Sequence, residues 1–431
     1  MRFALAIVIA LAVSANTGDA HADPLQEFGF GARASGMAGT GVANTTGADA
    51  AHHNPAGVAD AEHASFLLGY AYGSMALSIN GRGANLLDAH GTSIGAAIPF
   101  KINDHASIAL GLAMYLPDQF IARIQQIPPT EPHFILLDNN PHRLVVEPVV
   151  SLRLNKYFSI GAGASVLGDA RGNGINFNVG VESGNKVGEA ELDAALPLTF
   201  APLVGIMVSP TPRVHAGLVY RGELGLDLAL DILADVNIAG VVTGDALVAV
   251  RAANYFTPQK VSGGVAVEVI DNLTLTSDVS WVNWSAHPSG VADLRILVAL
   301  DITPPLVQTD VVAAEFNDTV TARLGAEYRI NGKRTDWAVR GGYAFLPSPV
   351  PDQVALTSFA DNERHVLSLG MGMTLTDWKP ILTRPVEFNV GLQWHHLQGR
   401  LTQKDAMQFP GESFSSGGNI FHINASTTVN F

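Results

Sequence analysis

The 431-residue chain carries 39 acidic against 25 basic side chains, a net charge of −14, and no cysteine. The charge argues against nucleic acid as a partner, and the absence of thiols excludes disulfide bridges and thiolate metal centres. Charged residues make up only 15% of the chain against 47% hydrophobic ones, fewer charges than the ~25% of a soluble domain, yet the apolar residues are dispersed in alternating segments.

Arg2, the apolar run 3–13 and the small-residue site Ala20-His21-Ala22 read as an export signal over residues 1–22, cleaved before Asp23. No later stretch reaches the ~20 consecutive apolar residues of a spanning helix. Residues 23–63 do not alternate. Gly29, Gly31, Gly36, Gly39, Gly41 and Gly47 give this segment a compact irregular path.

From residue 64 onward apolar and polar residues alternate, the mark of strands with one face of each kind. Strands are predicted near 64–80, 91–100, 105–115, 143–154, 157–168, 195–208, 213–223, 259–270, 272–284, 319–330, 335–346, 364–376, 385–397 and 419–431. Short turns join alternate pairs, among them Asn155-Lys156, Asp271-Asn272 and Asn331-Gly332-Lys333-Arg334, whose Asn, Asp and Gly tolerate positive φ. The other connections are longer, up to the polar stretch 398–418.

The last strand sets Phe421, Ile423, Ala425, Thr427, Val429 and Phe431 on one face and His422, Asn424, Ser426, Thr428 and Asn430 on the other. A soluble strand ending in Phe is one reading. The export signal favours the other, a terminal aromatic in the girdle of an outer-membrane barrel. An even strand number with short periplasmic turns and longer external loops fits the same architecture, and hydrocarbon forbids an open sheet edge. The expectation is an all-β, 14-stranded antiparallel transmembrane β-barrel over residues 64–431. About eight strands is the size that side chains alone can fill, so residues 23–63 are expected as an N-terminal plug rather than a periplasmic tail.

Strand parity turns Glu147, Arg153, Arg323, Glu327, Arg329, Arg340 and Arg364 into the lumen, as barrel physics requires, since Arg or Lys at the lipid-facing midplane costs about 2–4 kcal/mol. These groups either pair with each other and the plug, or one arginine holds a ligand carboxylate. Arg323 and Arg340 are the candidates. Residues 115–142, 224–258 and 291–312 are expected as external loops, and they are apolar where a polar-solute porin needs hydrophilic ones. They pack on one another as a cap, extend strands above the membrane, or form a binding groove. Phe120, Ile121, Ile124 and Ile127 have the spacing of a short amphipathic helix, and Phe120 and Ile124 are the ligand candidates there.

Three stretches carry a family resemblance. Residues 34–41, Ala-Ser-Gly-Met-Ala-Gly-Thr-Gly, precede Asp49-Ala50-Ala51-His52-His53-Asn54-Pro55-Ala56-Gly57. Arg340-Gly341-Gly342-Tyr343 precedes Ser348-Pro349-Val350-Pro351-Asp352 and then Asp361, Arg364 and His365, and Trp281-Val282-Asn283-Trp284-Ser285 closes a strand. Together they resemble the FadL/TodX-type outer-membrane transporters of long-chain fatty acids and aromatic hydrocarbons. The resemblance implies a hatch at the N-terminus with gating at Asn54-Pro55-Ala56 and the neighbouring Gly39 and Gly41. It also implies a monomer in the bacterial outer membrane, with capture of apolar substrate at outer loops, a lumen site, and release sideways into membrane lipid beside a kinked third strand. Gly111 lies inside that strand.

No Ser-His-Asp arrangement, phosphate loop or metal-spaced cluster appears, so neither an enzyme nor a cofactor is expected. His52-His53 and His395-His396, adjacent in extended chain, point to opposite sides and make poor chelates. The expected function is diffusion-driven uptake of hydrophobic small molecules, long-chain fatty acids first. The alternatives are aromatic hydrocarbons or a structural or adhesive barrel.

Overall fold

The computed structural model describes residues 24–103, 105–118, 131–138, 144–168, 171–182, 185–195, 198–238, 242–287, 293–300, 306–310, 315–353, 357–376, 378, 384–404 and 411–431. Between residues 167 and 198, 225 and 255, and 293 and 310 it describes backbone alone. The export signal lies outside the described residues.

Among the described residues fourteen strands close into one antiparallel barrel. In chain order they are β1 (Ser65–Ile79), β2 (Ala89–Lys101), β3 (Ser107–Pro117), β4 (Val145–Asn155), β5 (Phe158–Gly168), β6 (Leu198–Thr211), β7 (Val214–Arg221), β8 (Lys260–Ile270), β9 (Leu273–Val282), β10 (Thr319–Ile330), β11 (Thr335–Leu346), β12 (Arg364–Leu375), β13 (Val386–Gln403) and β14 (Ser413–Asn430). Each pairs with its chain neighbour. β14 then returns to β1 from Ser65↔Asn430 to Ile79↔Ser416, so no edge is left open.

Alternation explains which way each strand faces. Leu367, Leu369 and Met371 of β12, Val390 and Leu392 of β13, and Phe421 and Ile423 of β14 are exposed on the outer wall. Their alternates Ser368, Asn389, Gln393, His422 and Asn424 are buried inside. Asn272 adopts φ 70 in the tight β8–β9 turn, where a short polar side chain tolerates the left-handed region.

Two expectations need correction. The connection 398–418 is shorter than its polarity suggested: β13 runs up to Gln403 and β14 starts at Ser413, since polar residues are no obstacle to a strand above the membrane. Stretches 224–258 and 291–312 are largely strands rather than loops. Leu224–Ile238, Val242–Thr257, Asp293–Leu300 and Leu306–Asp310 join Arg171–Glu182 and Asn185–Ala195 in a six-stranded second sheet, built from the external connections. Leu224, Leu226, Leu228, Leu230 and Ile232 of the first of these strands alternate, as strand residues do.

The chain before β1 forms short helices, α1 (Pro24–Phe28), α2 (Ala32–Ser35) and α3 (Ala50–His53), with 3-10 turns at Gly47–Asp49 and Pro55–Asp60. Much of it is buried, including Phe30, Met37, Ala51, Ala56 and Val58.

Candidate functional site

The inward faces of the strands meet residues 24–60 around most of the circumference. Backbone groups of the segment bond to short polar side chains of the wall. Ser107 of β3 donates to the Ala59 carbonyl at 2.7 Å, and Ser151 of β4 to the Ala56 carbonyl at 2.9 Å. Ser368 of β12 donates to the Gly36 carbonyl at 3.2 Å, and Gln393 of β13 to the Ser35 carbonyl at 3.0 Å. Opposite these, Asp278 of β9 receives the Gly41 and Val42 amides at 2.8 and 3.2 Å.

Asn54 is the hub of the predicted gating motif. Its Oδ1 accepts the Ala56 amide at 3.1 Å, capping the 3-10 turn that Pro55 begins. Its Nδ2 donates to the carbonyls of Val42 at 2.7 Å and of Ile206 in β6 at 3.1 Å. The wall is shaped to receive this motif. A Cβ on Gly205 would lie 2.1 Å from the Asn54 Oδ1, and one on Gly161 would lie 2.3 Å from the Pro55 backbone.

Among the described residues four groups of ion pairs tie the segment to the wall, the loosest being Arg153 of β4 with Asp60 at 3.8 Å. Glu27 pairs with Arg364 at 2.5 Å. Arg33 grips Glu327 through two bonds of 2.9 and 3.1 Å, and the same carboxylate receives Arg340 at 2.6 Å and Arg329 at 2.9 Å. Glu147, fully buried, receives Arg221 and Ser165 and meets the His52 Nδ1 at 2.7 Å, while Arg221 also donates to the His52 carbonyl at 2.8 Å. Charges inside a low-dielectric wall demand opposite partners of this kind.

The structure thus turns Glu147, Arg153, Arg323, Glu327, Arg340 and Arg364 toward the lumen side and shows what they meet. Arg340 is bound to Glu327 and to Asn389 at 2.8 Å. Arg323 donates to the Ala38 carbonyl at 2.9 Å and stands beside Gly39. Phe120 and Ile124 lie outside the described residues. Glu27, Arg33, His52, Arg221 and Asp278 were missed as partners. Arg33 had a signal, as the single arginine in residues 23–63; the others had none without the register.

The histidine pairs behave differently from one another. His395 faces inward and His396 outward, as alternation requires. His52 and His53 lie in α3 rather than in extended chain, with ring centroids 5.1 Å apart, and each serves a separate bond: His52 to Glu147, His53 to the Phe30 carbonyl at 2.9 Å. Among the described residues no group of three or more potential metal ligands occurs.

Polarity changes along the lumen. In the outer half, Met75, Leu77, Leu397, Phe414 and Ile420 of the wall form one buried cluster with Phe28 of α1 and with Phe134 and Leu137 of an external connection. Next to it, Phe256, Trp284, Phe316 and Phe359 form an aromatic cap, with Phe256 stacked on Trp284 at 5.5 Å and Phe316 edge-on to Phe359 at 6.3 Å. These apolar side chains are buried against each other, so the described part of the loops is a cap. On the periplasmic side lies a cavity of about 970 Å³, lined by charged groups that include Arg33, Asp49, Asp60, Glu327 and Arg340. The Asp49 carboxyl there is pushed up to about 7, first by burial and then by the Glu387 carboxylate, against the pull of Arg33 and Arg340.

The third strand pairs without interruption on both sides, from Gly91↔Pro117 to Lys101↔Ser107 and from Ser107↔Arg153 to Tyr115↔Val145. Near it, a break in the ladder falls between β4 and β5, where Val146↔Val166 is followed only by Val149↔Gly163. Pro148 sits at that break and has no amide hydrogen to offer.

Comparison with known proteins agrees with this architecture. The family model described as "Outer membrane protein transport protein (OMPP1/FadL/TodX)" matches residues 11–383. A search of curated proteins gave no match. Among solved structures, a FadL homologue of Pseudomonas aeruginosa superposes with a TM-score of 0.58 at 15% identity, over 93% of this chain and 98% of that one. The toluene transporter TbuX of Ralstonia pickettii gives 0.52 at 16% identity, over 94% and 99%. The toluene transporter TodX of P. putida gives 0.50 at 15% identity, over 94% and 99%. At such identities the likeness is one of fold; the family rests on the sequence match, and by it the chain belongs to the OMPP1/FadL/TodX family of outer-membrane transport proteins.

Proposed function

We propose that this outer-membrane channel takes up hydrophobic small molecules, long-chain fatty acids foremost, by diffusion, and delivers them into the bilayer. The observation that supports the reading is the change of polarity along the lumen: an apolar outer half around Phe28 and Phe134, then residues 24–60, then a charged cavity of about 970 Å³. An apolar solute gains free energy in the first zone and loses it in the last.

On this reading the aromatic cap collects cargo, the zone above Phe28 holds it, and residues 23–63 are the hatch. Gating moves Asn54-Pro55-Ala56 off the Gly161 and Gly205 seats and shifts Gly39 and Gly41, which carry Arg323 and Asp278 contacts. A fatty acid carboxylate displaces the Ala38 carbonyl from Arg323. Arg340, held in the three-arginine cluster on Glu327, is reached only after the hatch moves. Release is lateral, because the charged cavity opposes straight passage, and the interrupted β4–β5 ladder at Pro148 is a place where the wall can part.

The test is uptake of labelled oleate by cells producing the full chain, a chain lacking residues 23–56, or Arg323→Ala. Gated uptake predicts altered rates in both variants, and equal rates in all three would refute the gating role. Aromatic hydrocarbon is the second reading, favoured by the stacked cap of Phe256 and Trp284. Labelled toluene taken up in preference to oleate would select it. A structural or adhesive barrel predicts uptake of neither.

A further inference from the structure

The outer wall carries a row of polar residues that neither the barrel nor uptake explains. On β12 the exposed apolar band starts at Leu367, and on β13 it runs up to Trp394. One rung further out stand His365 and His396, directly opposite each other as register partners. Both lie on the outward face, in line with Leu367 and Trp394. Directly opposite partners in an antiparallel pair have Cβ atoms about 4.5–5.5 Å apart, within reach of one bridging ion.

The hydrogen bonds behind the rings decide which nitrogen points at that ion. The Trp394 Nε1–H, which can only donate, meets the Asn419 side chain at 3.0 Å, so the Asn419 atom there is the acceptor Oδ1. The His396 Nδ1 approaches the same oxygen at 3.0 Å and must therefore carry its hydrogen. That leaves the His396 Nε2 with a lone pair. The His365 Nδ1 lies 2.8 Å from the Tyr343 hydroxyl, which can accept in the same way and free the second Nε2. Rings held from behind by a fixed oxygen are the arrangement found around metal-bound histidine. Glu363, exposed two residues before His365, adds negative charge nearby.

We propose that His365 and His396 form a divalent transition-metal site, best suited to Zn²⁺, at the outer rim of the barrel. Two imidazole nitrogens supply two positions of a tetrahedral shell, and water fills the others. The ion cross-links β12 to β13 above the aromatic girdle. The inference stands apart from the transport reading, since it concerns the outer wall rather than the lumen.

The experiment is equilibrium dialysis of the purified full chain in detergent against Zn²⁺ alone, comparing wild type with His365→Gln, His396→Gln, Asn419→Ala and His90→Ala. Heat-modifiable gel migration checks that each variant is folded. The site predicts loss of one bound equivalent in both glutamine variants, an affinity lowered about 10–100-fold in Asn419→Ala, and no change in His90→Ala. Retention of that equivalent in either glutamine variant overturns the chelate. Should a glutamine variant fail to fold, the Asn419→Ala titration decides, and wild-type affinity there overturns the proposal.

Discussion

Single residues in this protein matter through the space they leave and the partners they hold. Gly205 is the clearest case of space, since a methyl group there would sit 2.1 Å from the Asn54 Oδ1. Gly205→Ala is expected to destabilise the seat of residues 54–56 by about 1–3 kcal/mol, the usual cost of overpacking, and limited proteolysis of residues 24–63 should accelerate while the barrel stays resistant. Asp49 is the clearest case of charge. Its raised carboxyl favours the folded state when protonated, so its contribution is whole below the ordinary value of 3.8 and is lost as pH rises through about 7. Burial pushes it upward most, Glu387 and Glu327 add to that, and Arg33 and Arg340 oppose it. Asp49→Asn should therefore gain stability relative to wild type as pH climbs from 4 to 8, read as a difference in urea midpoints. A constant difference across that range would remove Asp49 as the titrating group.

Between elements, the strongest ties run from the N-terminal segment to the wall. Glu147 of β4 is fully buried between Arg221 of β7 and His52 of α3. Removing one member of a buried pair leaves an uncompensated charge and costs about 3–5 kcal/mol. Glu147→Gln should lower stability by that order, while Glu147→Gln combined with Arg221→Met should recover much of it in denaturant titrations. The lipid-facing elements obey a separate rule. Among the described residues Leu369 is the most exposed large apolar side chain of the outer wall, at 67%, and Leu369→Arg should cost about 2–4 kcal/mol if hydrocarbon bathes that face. A change within experimental error would place β12 outside the membrane.

At the scale of the whole molecule, residues 24–60 lie between a buried apolar cluster and a charged cavity of about 970 Å³. The chain lacking residues 23–56 should leave a lumen lined by Glu147, Arg221, Glu327 and Arg340, and such a wet pore conducts ions. Planar-bilayer recordings are expected to show a large open conductance for that chain and little for the full one. Equal conductance would show that these residues do not block the lumen.

Alternation, together with the tight turns and longer connections between strands, placed all fourteen strands, because a wall with lipid on one side and polar contacts on the other writes a period of two along each strand. It also turned Glu147, Glu327 and Arg340 inward, since lipid tolerates no such charge. What alternation could not show is who meets whom. Glu27 with Arg364, Arg33 with Glu327 and His52 with Glu147 are separated by 337, 294 and 95 positions, and only register and closure bring them together. The strands at 224–257 were equally hidden, because an extended segment looks the same whether it lies in the membrane wall or in a sheet above it. His395-His396 shows both limits at once: the period of two separated them correctly, yet only the fold placed His396 opposite His365.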